Sequence, residues 1–392
     1  MVLYIGIIFI FRVGPAQSAG AVDPLREVSM KTAVELKNKT VLITGAAGFI
    51  GSALVRRLLS ADDAPANIVG VDNLNDYYDP ALKRYRLDRF AECAAGSASS
   101  WTFRLGDISD KAFVESLFAE FAPSVVVNMA AQTGVRYSID HPDVYMLANV
   151  MGFFNILESC RRSLDCGGPG VEHLVFASSS SVYGNCPKVP FEVTDRTDSP
   201  VSLYAATKKS NELMAHAYAK LYDLPVTGLR FFTVYGPAGR PDMFYYSAAD
   251  TLVKGGSIRI FNYGRCKRDF TYIDDVVEGV SRVMRGAPAR RTGDDGLPTP
   301  PYALYNIGRG RPEPLPEFID ALQNELIRAG LLPADYDLAA HREFLPMQRG
   351  DVPVTFADCS ALERDFGFRP HVDFRDGVRK FVSWYRDYHA AK

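Results

Sequence analysis

An α/β fold, built as a doubly wound parallel sheet with a smaller C-terminal α/β region, is predicted by three observations. Short apolar, β-branched runs alternate with stretches of helical periodicity. The runs are apolar almost throughout, as in strands covered on both faces. A glycine-rich turn joins the first run to the first helix.

Composition agrees with this class. The 392 residues suggest two or three domains at roughly 150 residues each. Hydrophobic residues at 47% and charged residues at 23% exclude a disordered chain, a collagen and a coiled coil. Lys+Arg of 44 against Asp+Glu of 46 gives a net charge of -2, so no bulk positive charge offers itself to nucleic acid. Six cysteines, Cys93, Cys160, Cys166, Cys186, Cys266 and Cys359, form no CxxC pair. No metal site and no disulfide framework are expected, and a reducing, cytoplasmic setting fits.

The first strand is Thr40–Thr44, and Phe49–Leu59 is the first helix, with Ile50, Leu54 and Leu58 at helical spacing. Further strands are expected at Ile68–Asp72, Phe103–Leu105, Val125–Met129, Leu174–Ala177 and Val226–Phe232. Beyond Pro237 the segments shorten and carry more Pro, Gly and charge. Arg285–Pro301 reads as a surface loop, and Tyr302–Ile307 as a strand returning to the sheet. The expected division is an N-terminal extension over 1–36, the main domain over 37–236, and a second domain over 237–392 that lends 302–308 back to the first. Met1–Phe11 is apolar but shorter than the roughly 18 residues that span a bilayer. It reads as a short leader with Ala19-Gly20-Ala21 as a cleavage zone, leaving membrane association open, or else Met30 is the natural start.

Gly45-Ala46-Ala47-Gly48-Phe49-Ile50-Gly51 has GxxGxxG spacing in a strand–turn–helix context. Such glycines allow a tight turn, a close approach to a pyrophosphate, and close packing of the helix. The helix N-terminus at Phe49 and Ile50 supplies free N–H groups and partial positive charge. Asp72, 21 residues beyond Gly51, ends the second strand where a carboxylate accepts bonds from ribose hydroxyls and repels a 2′-phosphate. NAD is therefore expected rather than NADP. Asp107-Ile108 suits the adenine edge, and Ala130-Ala131 the crevice above the fourth strand. With Asn73, Gln132, Tyr204 and Lys208 these complete the expected cofactor site.

Tyr204 and Lys208 form a YxxxK pair on one helix face. The ammonium is expected to favour the phenolate and make Tyr204 a general base near neutral pH. Ser178-Ser179-Ser180-Ser181 follow the fifth strand, at the end where such sheets bind ligands.

Taken together, the glycine turn, serine run and YxxxK resemble the extended short-chain dehydrogenase/reductase superfamily. Within it the chain resembles the UDP-glucuronate 4-epimerases over about residues 37–388. The strings TGAAGFIG (Thr44–Gly51), DNLNDYYDPALK (Asp72–Lys83), AAQTGVRYS (Ala130–Ser138), SSSSVYG (Ser178–Gly184), RFFTVYGPAGRPDM (Arg230–Met243) and RDFTYIDDVVEG (Arg268–Gly279) carry that likeness. It implies reversible inversion at C4 of a UDP-hexuronate through a 4-keto sugar, with Tyr204 as base, Ser179 assisting and NAD tightly held. It implies that Ser180, Ser181 and Thr233 hold the uronate carboxylate, that Arg136 and Arg240 lie near the sugar or phosphates, and that Arg268 and Arg349 clamp the diphosphate. It places Ile260-Phe261 beside the uracil and implies a homodimer through the helices after Pro142 and Val201.

Ala238 departs from the resemblance, which carries an aromatic there. The alternatives are weaker. A UDP-glucose/UDP-galactose 4-epimerase shares the mechanism, but many such chains carry Asn where Thr233 stands. A 4,6-dehydratase or a decarboxylase places acidic residues in the loop that here reads Ser180-Ser181. A non-catalytic NAD sensor would lose Tyr204 or Lys208, and both are present.

Overall fold

The computed structural model describes residues 31–165, 170–293, 295–348 and 350–391. The leader, Cys166 and Arg349 lie outside the described residues. Among the described residues no helix is long and apolar enough to cross a membrane.

Six strands of the central sheet lie in the first 231 residues: β1 (Thr40–Thr44), β2 (Asn67–Asp72), β3 (Ser100–Leu105), β4 (Val125–Asn128), β5 (His173–Ser179) and β6 (Val226–Phe231). Next come β7 (Thr233–Tyr235), β8 (Ile258–Phe261), β9 (Lys267–Tyr272), β10 (Tyr302–Ile307), β11 (Pro312–Pro314) and β12 (Arg342–Leu345). The central sheet has seven strands in the order β10-β6-β5-β4-β1-β2-β3, and every pairing within it is parallel. The strand order reverses between β1 and β4, where doubly wound sheets open a crevice at their carboxyl ends.

Alternation along the strands divides the core. Val41, Ile43, Val125 and Val127 pack into one cluster with Leu54 and Leu58 of helix α1 (Phe49–Leu59). Leu42 and Val126 turn to the opposite face. There they meet Val114 of α2 (Lys111–Phe121), Ile156 of α3 (Gly152–Asp165) and Ala215 of α4 (Leu203–Tyr222). Period-2 strands thus feed two apolar layers, each covered by helices. Ser202 caps α4 by accepting the Ala205 N–H at 3.1 Å.

Beyond the sheet, β7 runs parallel to β9, and β11 is antiparallel to β9. β8 pairs with β12. An aromatic group of Tyr235, Phe270, Phe318 and Phe374 fills the space beneath. β10 sits at the edge of the main sheet in register with β6, Tyr302 opposite Val226. The segment expected to be a loop at Arg285–Pro301 is partly ordered pairing. Gly286–Pro288 is buried against strand Lys31–Ala33, and Arg291–Thr292 pairs with Pro298–Thr299. Apolar Ala287 gains burial there, which a composition-based reading of Pro and Gly overlooks.

Candidate active site

Two cavities open along the carboxyl ends of the strands and share Gly45, Gly48, Met129, Thr133 and Arg240 in their walls. The smaller, about 110 Å³, is bordered by Asp72, Asn73, Asp107, Ile108, Ala130, Ala131 and Gln132. The larger, about 350 Å³, is bordered by Phe49, Ile50, Gly51, Ser179, Ser180, Ser181, Tyr204, Lys208, Thr233, Arg240 and Arg268.

The glycine turn is shaped for close approach. Gly45 has φ +67°, and a Cβ there would meet the Ala130 backbone nitrogen at 2.7 Å. A Cβ at Gly51 would fall 2.1 Å from the Gly45 carbonyl oxygen, so a side chain would push α1 off the turn. Helix α1 starts without a side-chain cap and without an acidic residue in its first turn. Its first N–H groups are therefore available to an anion.

Asp72 is buried and already committed in part. It accepts the Ala47 N–H at 3.1 Å and the Leu74 N–H at 2.9 Å, and lies 3.8 Å from the Lys83 ammonium. Burial lowers the pKa of Lys83, with Asp72 opposing the shift. Asn73 donates to Asp107 at 2.8 Å. Burial raises the Asp107 pKa, but bonds from Ser109 and Asn73 outweigh it and hold the carboxyl below its ordinary value. Gln132 is fixed through its backbone. Asn149 accepts its N–H at 2.8 Å, and donates to its carbonyl at 3.0 Å and to Thr207 at 3.0 Å. Asn149 lies in the π-helical turn Met146–Met151, a widening often found at functional sites. The side-chain nitrogen of Gln132 is buried without a partner at the cavity wall.

In the larger cavity Ser181 donates to the Ser179 hydroxyl at 2.9 Å, and the Ser181 N–H also reaches it at 3.2 Å. The Ser179 hydroxyl in turn acts on the Tyr204 phenol and lowers its pKa. Burial raises the Tyr204 pKa, opposed by the Ser179 hydroxyl and the Arg240 guanidinium, while Asp242 adds to the rise. This corrects the expected effect of Lys208. That ammonium donates to the Ala177 carbonyl at 2.9 Å, and burial brings its own pKa down to about 8. Desolvation is the largest influence on the phenol, and Lys208 is not among the charges that shift it.

The serine run divides in its duties. Ser178 is buried and donates to Glu212 at 2.7 Å. Glu212 forms a two-bond ion pair with Arg230, at 2.8 and 2.9 Å. Ser178 thus braces the strand end, and all four serines border the cavity. Arg240 pairs with Asp242 at 2.9 and 3.0 Å, and Asp242 accepts the Tyr77 hydroxyl at 3.2 Å. Arg268 lines the cavity with its guanidinium turned to the Lys267 and Pro353 carbonyls, at 3.1 and 3.2 Å. Arg136 is not in the wall. It is exposed, 3.2 Å from Asp351, and stacks over Phe261 at 4.9 Å. Asp351, its partner, is in the wall, and Ile260 and Phe261 are not.

The sequence profile of the NAD dependent epimerase/dehydratase family matches residues 41–308. This chain belongs to that family. Among curated relatives of this family member, Protein CapI of Staphylococcus aureus is 43% identical over 355 residues, covering 89% of this chain and 99% of the relative. UDP-glucuronate 4-epimerase 4 of Arabidopsis thaliana is 42% identical over 357 residues, covering 90% and 76%. Of solved structures, a UDP-glucuronic acid 4-epimerase from Bacillus cereus in complex with UDP-glucuronic acid and NAD superposes with TM-score 0.74 at 28% identity, covering 89% and 99%. A dTDP-glucose 4,6-dehydratase from Streptomyces venezuelae with NAD bound gives 0.74 at 28%, covering 90% and 98%. The fold is thus common to epimerases and dehydratases, and the cavity lining must separate them.

NAD is the cofactor of this epimerase/dehydratase family member, and the residues present fit it. The uncapped helix start, the turn that admits no Cβ, and the buried carboxylate of Asp72 provide sites of the right charge for phosphates and ribose. Three contributors escape a sequence motif search: Lys83 beside Asp72, Asn149 behind Gln132, and Arg86 beneath the turn. Lys83 ends a long family-like string, and Arg86 follows it closely. Nothing local marks Asn149.

Proposed function

We propose that the protein is a UDP-glucuronate 4-epimerase, interconverting UDP-glucuronate and UDP-galacturonate with tightly held NAD. The observation that carries this reading is the hydroxyl-lined wall around Tyr204. Ser179, Ser180, Ser181 and Thr233 border the cavity, and no acidic residue stands in Ser178–Gly184. Water elimination needs an acid and a base there; inversion needs neither. Neutral donors also suit a uronate carboxylate that must be held without promoting loss of CO2 from a β-keto acid.

Bound NAD would accept hydride from C4, return it, and add positive charge beside the phenol. Tyr204 takes the proton of the 4-hydroxyl and later gives it back. Ser179 accepts from Ser181, which leaves its own hydrogen for Tyr204 or the substrate oxygen. Lys208, anchored on Ala177, holds a positive charge on the same helix face. Asp72 and Asn73 are assigned to the adenosine ribose, Asp107 and Ile108 to the adenine side, and Ala130, Ala131 and Gln132 to the crevice. Gly45, Gly48, Phe49, Ile50 and Gly51 are assigned to the pyrophosphate. Ser180, Ser181 and Thr233 are assigned to the carboxylate, Arg240 to the sugar, and Arg268 with Arg349 to the UDP diphosphate. Arg136 acts through Asp351 in this reading.

Residues 37–236 with β10 form the cofactor domain in this proposal, and 237–392 mainly the sugar-nucleotide domain. A homodimer is supported by the exposed apolar side chains of Met146, Leu147 and Met151 in the π-helical turn and of Leu213 and Leu221 in α4. A cytoplasmic setting is supported by the five cysteines among the described residues, all free thiols.

Incubating the purified protein with UDP-glucuronate, without added NAD, tests the reading. UDP-galacturonate is the expected product. Conversion of UDP-glucose instead would favour the neutral-sugar epimerase, and a pentose with CO2 would mean decarboxylation.

A further inference from the structure

We propose that Arg86 is a positioning residue that locks the glycine turn to the loop carrying Arg240, so that the cofactor and sugar halves of the site hold one geometry. The inference deepens the epimerase reading and rests on it for its activity readout alone.

Arg86 lies in the helix Pro80–Ala94 and is 2% exposed. Its guanidinium bonds on three sides. One nitrogen donates to the Ala47 carbonyl within the glycine turn at 2.8 Å and to the Tyr78 hydroxyl at 2.6 Å. The other two reach across 152 residues to the Ala238 carbonyl at 3.0 and 2.8 Å, and one continues to the Gly239 carbonyl at 3.1 Å. No carboxylate pairs with it among the described residues. A buried cation held by carbonyl and phenol oxygens alone is costly to keep, and a lysine has no planar fork to satisfy them together.

What it holds is a strained loop. Ala238 sits at φ +54°, a region L-residues rarely occupy. A Cβ at Gly239 would strike the Tyr245 hydroxyl at 1.6 Å. Arg240 follows at once and lines both cavities. The ring closes through Asp242, which binds Arg240 and accepts from Tyr77, the neighbour of Tyr78. The charges felt at the Tyr204 phenol are Arg240 and Asp242 of this loop, with Tyr145 the nearby phenol. Moving the loop therefore moves the electrostatic setting of the base, and moving the turn moves the cofactor.

The test compares wild type with Arg86→Lys and Arg86→Gln by NAD titration of the apoprotein, by kcat and KM for UDP-glucuronate, and by the pH profile of kcat. Both variants are expected to bind NAD roughly tenfold or more weakly and to lose roughly 100-fold in kcat. The acid limb of kcat should move to higher pH, because Arg240 no longer steadies the phenolate. A general loss of stability would not move that limb. Arg86→Lys matching wild type in NAD affinity and pH profile would overturn the proposal, since charge alone would then suffice. Should both variants fail to fold, Tyr78→Phe removes one partner without stranding a charge. It should shift NAD affinity and the acid limb in the same directions, and an unchanged Tyr78→Phe would overturn the proposal. Wild type that makes no UDP-galacturonate would refute the epimerase reading, while NAD affinity would still decide the role of Arg86.

Discussion

The Lys208 ammonium is anchored on the Ala177 carbonyl at 2.9 Å, at the end of the strand that leads into the serine run. It is buried, and its pKa falls from the ordinary 10.5 to about 8 through desolvation. The folded protein thus releases this proton near pH 8, and the unfolded chain only near 10.5. Between those values the unfolded state binds more protons, so this group's contribution to stability rises with pH through that window. Below pH 8 the cost of burying the charge is fully present. Lys208→Met should therefore stabilise the apoprotein at pH 7 by roughly 1–3 kcal/mol while turnover collapses. Denaturant unfolding at pH 7 and at pH 9.5, with an activity assay, checks both parts.

Removing the base is a separate prediction. Tyr204→Phe should reduce kcat by roughly 10²–10⁴-fold, the usual share of general acid–base catalysis. NAD affinity should stay near wild type. Ser179→Ala should fall in the same direction by less, because the phenol loses the lowering influence of Ser179 and its pKa rises further. Steady-state kinetics with a parallel NAD titration separates these outcomes.

At the ribose end, Asp72→Ala removes the acceptor for the Ala47 and Leu74 N–H groups and leaves Lys83 without its carboxylate. NAD affinity should fall roughly tenfold or more, and discrimination against NADP should weaken. Calorimetric titration of both cofactors into apoprotein measures this.

Glu212 and Arg230 are each 2% exposed at the side chain and joined by two bonds. Arg230→Met leaves Glu212 a buried carboxylate with only Ser178 and Lys209 beside it. Such a broken pair should cost about 3–5 kcal/mol. Urea unfolding of Arg230→Met checks the figure. The double variant Arg230→Met with Glu212→Leu should recover part of the loss.

The parallel sheet was readable because its strands carry their own signal. Val125–Val127 is apolar on both faces, and Tyr302–Tyr305 repeats that pattern after a Pro-rich break. The glycine turn and YxxxK were readable because their residues lie close in sequence. What escaped depends on distance. Ser178 looks like its three neighbours, yet Glu212, 34 residues away, claims it for the strand end. Arg136 gives no local sign of its partner Asp351, 215 residues away, which lines the cavity. The sign of the Tyr204 shift was missed because sequence spacing gives the nearest charge but not the depth of burial.

Conversion of UDP-glucuronate deuterated at C4, in ordinary water and without added NAD, tests the central claim most directly. The account predicts UDP-galacturonate that retains its deuterium at C4, because the same atom leaves and returns within one closed site. Deuterium lost to solvent, or no inversion at C4, would contradict it.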